Sequence, residues 1–319
     1  SLTVECFGTV FVHKKNHINN RSVAHKRNMH RMSEPQQSTL AIVYDFDGTL
    51  TPQPMQEYTV LPELGISAAK FWDLVDKEVI RTGGDPILTY MRLLVEQIEA
   101  NKAHLSREAL RNLATEIKYY PGVDEWFDRI NSYVKESSKG LIKIKHYIVS
   151  AGLSEILEGI SIKKHFSQIY ASQYYFDHHE AARFPTIVIN DTAKTQYLFK
   201  INKGREEPLE TINEYMPEEE RPIPFQNMLY IGDGLTDVPC MTVVKKYGGF
   251  AVAVHRPRSK AAITACQKLT SADRIDFYAP ADYRADSKLE NRVKKIIDLM
   301  IARSLFEQER KSFLKKIRK

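Results

Sequence analysis

Cysteine is scarce and unpatterned: Cys6, Cys240 and Cys266 are the only three in 319 residues, far apart in the chain. That spacing supplies neither a disulfide framework nor a zinc site, and it suits a reducing compartment, so the expected location is cytoplasmic. Long apolar runs are missing too. Nothing approaches the ~18 residues of a membrane span, and a membrane partner is not expected. The early charges are not followed by an apolar segment of signal-peptide length, which argues against export. Residues 1–38 read as a disordered basic arm, with Met32 a candidate for the true start. The net charge of +6 collects at the two ends, in residues 13–31 and 292–319. Aromatics do not interleave with it, so it reads as solvated surface and nucleic acid is not an expected partner.

What remains is ordinary globular composition, 43% apolar and 27% charged, in a chain long enough for a sizeable core. Its most informative stretch is residues 41–51, Ala-Ile-Val-Tyr-Asp-Phe-Asp-Gly-Thr-Leu-Thr. An apolar run that stops at two acids reads as a buried strand meeting a polar turn. Asp45 and Asp47 are one residue apart, so in strand geometry they point the same way while Phe46 turns inward. Two carboxylates in one small site repel unless a cation neutralises them or one keeps a proton. An Asp-rich turn with no ligand has the same short pattern; the preceding apolar run favours the functional reading.

Three further segments matter. Lys143–Ser150 reads as a second strand, and a helix is expected over 154–160. A strand-to-helix turn at Ser150-Ala151-Gly152 can present a hydroxyl and free N–H groups to an anion, though Ser150 serves a plain turn equally well. Asp191–Phe199 reads as a helix start capped by Asp191 or Thr192, with Lys194 in its first turn. A cation there opposes the helix dipole, which is notable if acids lie nearby; taken alone, a solvated lysine is the plainer reading, and Lys200 and Lys203 are rivals. Residues 227–237 end a third apolar run in Gly232-Asp233-Gly234-Leu-Thr-Asp237. Strands are also expected at 169–171, 187–189, 248–255 and 275–278, with an aromatic loop at 174–179 and a last helix over 287–306. His178 and His179 are adjacent, so on a strand they face opposite ways and read as exposed polar residues rather than metal ligands.

Between the first two strands the apolar spacing turns to three and four. Phe71, Leu74, Val75 and Val79 form one face, Tyr90, Leu94 and Ile98 a second, Leu110, Leu113 and Ile117 a third. Gly83-Gly84-Asp85-Pro86 separates the first two segments and Ser106 caps the third. Residues 204–225 are charged and proline-bearing, an exposed excursion.

Taken in order, Asp45-Phe-Asp47-Gly48-Thr49, Ser150, Lys194 and Gly232-Asp233-Gly234-Leu-Thr236-Asp237 resemble the four motifs of the haloacid dehalogenase superfamily of phosphatases and phosphotransferases. The segment Tyr120-Pro-Gly-Val-Asp-Glu-Trp126 resembles the re-entry into the core of phosphoserine-phosphatase-like members. The resemblance implies an α/β fold, with a Rossmann-like parallel core (39–55 and 140–319) and an inserted helical cap of the C1 type (56–139). It implies Mg2+ held by Asp45, Asp233 and the backbone carbonyl of Asp47, with Asp237 supporting. Asp45 would be the nucleophile, Asp47 the general acid and base, and Lys194 the charge partner. Ser150 with the following N–H groups of Ala151 and Gly152 would bind phosphate. The expected substrate is a small phosphorylated metabolite; phosphotransfer, action on protein or nucleic-acid ends, and a non-catalytic binding module are the alternatives.

Overall fold

The computed structural model describes residues 37–207 and 210–317. The expected basic arm and the candidate start at Met32 lie outside the described residues, apart from the last two positions of the arm.

The chain opens on β1 (Thr39–Tyr44), whose side chains alternate between two apolar layers: Leu40, Ile42 and Tyr44 face one, Ala41 and Val43 the other. Burial on both faces is why this strand is a continuous apolar run rather than an alternating one. Short helices α1 (Met55–Tyr58) and α2 (Val60–Glu63) follow, then α3 (Ala68–Thr82), α4 (Pro86–Ala100) and α5 (Arg107–Asn112). Asp85 caps α4 by accepting from Ile87 and Leu88 N–H at 2.9 Å each, and Ser106 caps α5 by accepting from Ala109 N–H at 3.1 Å. Helix α6 (Val123–Ser137) leads into β2 (Lys143–Leu153). After it come α7 (Ser154–Leu157), β3 (Phe166–Phe176), β4 (Ala182–Ile187), α8 (Lys194–Lys203), β5 (Met228–Gly232), α9 (Val238–Lys246), β6 (Phe250–His255), α10 (Lys260–Ser271), β7 (Phe277–Pro280) and α11 (Lys288–Ile317).

The seven strands form one sheet in the order β4-β3-β2-β1-β5-β6-β7, parallel except for the β3–β4 pair. The chain leaves β1 toward β2 and later returns to its other side with β5. The carboxyl edge between β1 and β5 is therefore a topological switch point, where ligands of open α/β sheets bind. Helices α6 and α11 supply apolar side chains to one face of the sheet, and α8, α9 and α10 to the other.

Several expectations shift. Helix α6 was read with the inserted helices, yet it packs on the sheet: Trp126 Nε1 donates to Tyr44 Oη at 2.9 Å, and Phe127 meets the rings of Tyr44 and Phe166. The aromatic stretch Tyr174-Tyr175-Phe176 is strand, not loop. β3 runs on to Phe176 and hairpins into β4, because Tyr174 is buried and finds a partner for its hydroxyl in Met91 C=O at 2.8 Å. The expected strand at 187–189 meets β4 only at its last residue, Ile187, and the last strand begins two residues later than expected. The helix expected over 154–160 starts at Ser154 but is a single turn ending at Leu157, and β2 before it continues to Leu153. Helix α11 extends to Ile317, so the described part of the basic C-terminal stretch is helical.

Candidate active site

The register of β1 against β2 ends at Tyr44 and Ile148, and that against β5 at Tyr44 and Ile231. Asp45 and Asp233 thus lie just past the ends of β1 and β5, and Ser150 lies in β2 two residues past its last pair with β1. The Asp45 N–H still donates to Ile231 C=O at 3.0 Å, so backbone pairing with β5 continues one residue past β1.

Lys194 is the pivot. Its Nζ donates to Asp45 Oδ1 and to Asp237 Oδ1, both at 2.8 Å, and all three side chains are withdrawn from solvent. Burial is the largest influence on the ammonium and would lower its pKa. The two carboxylates together outweigh it and hold the pKa well above the usual lysine value. The awkward position at a helix start is thereby explained. Lys194 opens α8, and the turn before it is capped by Asn190, whose Oδ1 accepts from Ala193 N–H at 2.9 Å; neither Asp191 nor Thr192 fills that role. Lys200 and Lys203 are not rivals: their ammonium groups bind backbone carbonyls of the 204–225 excursion.

Asp237 has both oxygens occupied. Oδ1 also accepts from Tyr230 Oη at 2.7 Å, and Oδ2 accepts from Asp233 N–H at 3.0 Å. It therefore fixes both Lys194 and the Asp233 backbone. Asp233 lies over the turn after β1. Gly48 has φ +80°, and a Cβ there would run into Asp233 Oδ2, so the approach of the two motifs requires glycine.

Asp45, Asp233 and Asp237 each offer a carboxylate oxygen within 4.8 Å of the others. Burial, followed for Asp233 by repulsion from Asp45 and Asp237, raises the pKa values of Asp45 and Asp233 above the usual carboxylate range. Three acids around a single ammonium are short of positive charge. An all-oxygen donor set with that deficit fits a hard divalent cation. Among the three, Asp237 has both oxygens engaged by Lys194, Tyr230 and the Asp233 N–H, and Asp45 Oδ1 is engaged by Lys194.

Asp47 stands apart from this cluster. Its Oδ1 accepts from Met55 N–H at 2.8 Å, and burial, then the charge of Asp45, pushes its pKa up to about 8. Its side chain is not among the three acids whose oxygens converge, so the metal role expected of it would fall to its backbone carbonyl.

Ser150 is buried, and its Oγ accepts from Gly152 N–H at 2.9 Å. Ala151 C=O accepts from Tyr90 Oη of α4 at 2.9 Å, so an inserted helix is tied to this segment. A second tie joins Asn190 Nδ2 to Asp85 Oδ2 at 2.9 Å. His178 and His179 are exposed, in line with their reading as surface residues. Tyr230, Asn190 and Met55 are not singled out by the sequence, and Tyr90 is read there only as part of an apolar helix face. Tyr230 carried a signal, a hydroxyl inside a fully apolar strand that has to find a partner. The others carried none.

The model of the haloacid dehalogenase-like hydrolases matches residues 42–242, and the chain belongs to that family. It is accordingly a hydrolase on a Rossmann-like α/β fold. An uncharacterized protein of Borreliella burgdorferi is 27% identical over 289 residues, 83% of this chain and 99% of that one. Among solved structures, a HAD family hydrolase of Salmonella enterica serovar Typhi is similar at 15% identity and TM-score 0.52, covering 77% of this chain and 68% of that one. A phosphoserine phosphatase bearing an analogue of its phospho-aspartyl intermediate is similar at 18% identity and TM-score 0.51, over 81% of this chain and 99% of that one.

Proposed function

We propose that this hydrolase is a magnesium-dependent phosphomonoesterase that cleaves a small phosphorylated metabolite through an aspartyl-phosphate on Asp45. The observation that carries the reading is the division of labour between two neighbouring acids. Asp45 is bound to the Lys194 ammonium, while Asp47, one residue on, is held by Met55 N–H in surroundings that favour a proton. The likeness to the phosphoserine phosphatase structure, whose bound group mimics a phospho-aspartate, supports the same chemistry.

In this reading Asp45 attacks phosphorus in line and Lys194 holds the attacking carboxylate in place. Asp47 gives its proton to the leaving alkoxide; since Oδ1 already accepts from Met55 N–H, the proton resides on Oδ2. The carboxylate so formed then takes a proton from the water that hydrolyses the aspartyl-phosphate, which returns Asp45 and releases phosphate. Ser150, with N–H groups of Ala151 and Gly152, is proposed to bind phosphoryl oxygens; Gly152 N–H must first leave Ser150 Oγ. Mg2+, held by Asp45, Asp233 and the backbone carbonyl of Asp47, would supply positive charge between nucleophile and phosphoryl group. Asp237 supports Asp233 and Lys194.

Two coarser assignments complete the proposal. Helices α1 to α5 act as the cap, and the core is taken to include α6. The cysteines Cys240 and Cys266 are free, buried thiols, consistent with a cytoplasmic enzyme.

The test is phosphate release from a panel of phosphorylated metabolites with Mg2+, using Asp45→Asn as blank. Magnesium-dependent turnover that the blank lacks supports the proposal. A folded wild-type protein that releases no phosphate from any member overturns it.

A further inference from the structure

Met55 is a fully buried residue at the start of α1 with two attachments on opposite sides of the proposed chemistry. Its N–H donates to Asp47 Oδ1 at 2.8 Å. Its thioether sulfur accepts from Leu153 N–H at 3.2 Å, at the end of the 150–153 segment. Its methyl lies against Gly152. A Cβ at Gly152 would overlap Met55 Cε, stand 2.8 Å from its sulfur and lie 3.2 Å from Asp47 Oδ2. The thioether therefore packs against Gly152 beside Asp47 Oδ2, at the segment proposed to bind phosphate. In the proposed mechanism, an oxygen that takes its proton from Asp47 Oδ2 comes up beside this thioether.

We propose that Met55 is the residue that determines which leaving groups the site accepts: it admits slender alcohols and rejects broad ones. This rests on the phosphomonoesterase reading above. The physical basis is the methionine side chain itself. It is unbranched, with three rotatable bonds, and moves aside by rotamer changes while its backbone N–H continues to hold Asp47. Moving aside also frees Leu153 N–H, which then exchanges a weak bond to sulfur for a stronger one to a charged phosphoryl oxygen. A narrow leaving group needs only a partial displacement. A fused-ring leaving group needs the whole volume, and with Gly152 already at contact distance the thioether has no room on that side.

The experiment compares phenyl phosphate with 1-naphthyl phosphate, whose leaving groups are alike in chemistry and differ in width. Wild type should favour phenyl phosphate in kcat/KM. Met55→Ala should move the ratio toward naphthyl phosphate by about tenfold, through KM, while Met55→Leu, which refills the volume, should keep the wild-type preference. Dissociation constants of the two esters in an Asp45→Asn background, measured by calorimetry with Mg2+, should shift the same way without turnover. A ratio that stays within about twofold of wild type in Met55→Ala, or an equal loss on both esters, overturns the proposal. If wild type hydrolyses neither ester, the phosphomonoesterase reading is decided separately by the metabolite panel. The binding ratio then decides the role of Met55, and an unchanged ratio overturns it.

Discussion

The Lys194 ammonium stands 2.8 Å from Asp45 Oδ1, across 149 residues of sequence, with both side chains removed from water. A pair so placed is weak evidence for stability as such, because desolvation offsets most of the attraction. Losing one partner is another matter. Lys194→Met would leave Asp45 and Asp237 buried without their counter-charge. We expect a loss of about 3–5 kcal/mol, read as a lower denaturation midpoint, together with loss of phosphate release. Stability close to wild type would contradict the burial of an unpaired charge.

Asp47→Asn tests the proton carrier. Asparagine can still accept from Met55 N–H, so the fold around α1 should be kept and the melting temperature little changed. Turnover of an alkyl phosphate should drop roughly 10²–10⁴-fold, the usual contribution of general acid–base catalysis. A loss below about tenfold would remove Asp47 from that role.

Cation binding should be visible without any substrate. If Asp45 and Asp233 hold the ion, Mg2+ at about 100 times its dissociation constant should stabilise the fold by about 2.7 kcal/mol, seen as a rise in melting temperature. Asp233→Asn should abolish that rise. In the absence of cation the variant should be at least as stable as wild type, because it removes a carboxylate whose charge is disfavoured by burial and by Asp45 and Asp237. A metal-free variant clearly less stable than wild type would argue that Asp233 is structural.

His146 should make stability fall in mild acid. The imidazole is buried. Tyr44 Oη, which already accepts from Trp126 Nε1, donates to its Nδ1 at 3.0 Å, and its Nε2–H donates to Asn131 Oδ1 at 3.1 Å. This chain closes only with a neutral ring. Burial, then the nearby His165, lowers its pKa to about 3. The unfolded chain takes up a proton near pH 6.5 while the folded one does not. The contribution is therefore complete above that value and is lost as pH falls toward 3, by about 2 kcal/mol between pH 7.5 and 5. Denaturant midpoints across that range measure it. His146→Gln should flatten the slope, and an unchanged slope would assign the acid sensitivity elsewhere.

Much of the site was legible because its markers are local. An apolar run that ends in Asp45-Phe-Asp47, and another that ends in Gly232-Asp233-Gly234, announce buried strands with charged tips. Gly48 is a local signal as well, although its reason, the Asp233 carboxylate lying against it, is not. The caps Asp85 and Ser106 likewise follow from neighbouring residues. Aromatic residues at 174–176 misled because strand and loop differ there only in where the side chains go. Burial of Tyr174 and its bond to Met91 settle it as strand.

The amino-acid sequence by itself determined the acids, their order and the apolar strands that carry them, since side-chain alternation and turn chemistry act over a few residues. Only the tertiary structure decided that Lys194, rather than Lys200 or Lys203, reaches Asp45, that Asp237 is consumed in holding Lys194 and Asp233, and that Met55 touches both Asp47 and Leu153. Most of those contacts join segments distant along the chain, and they exist because the parallel sheet brings the ends of β1, β2 and β5 to one edge.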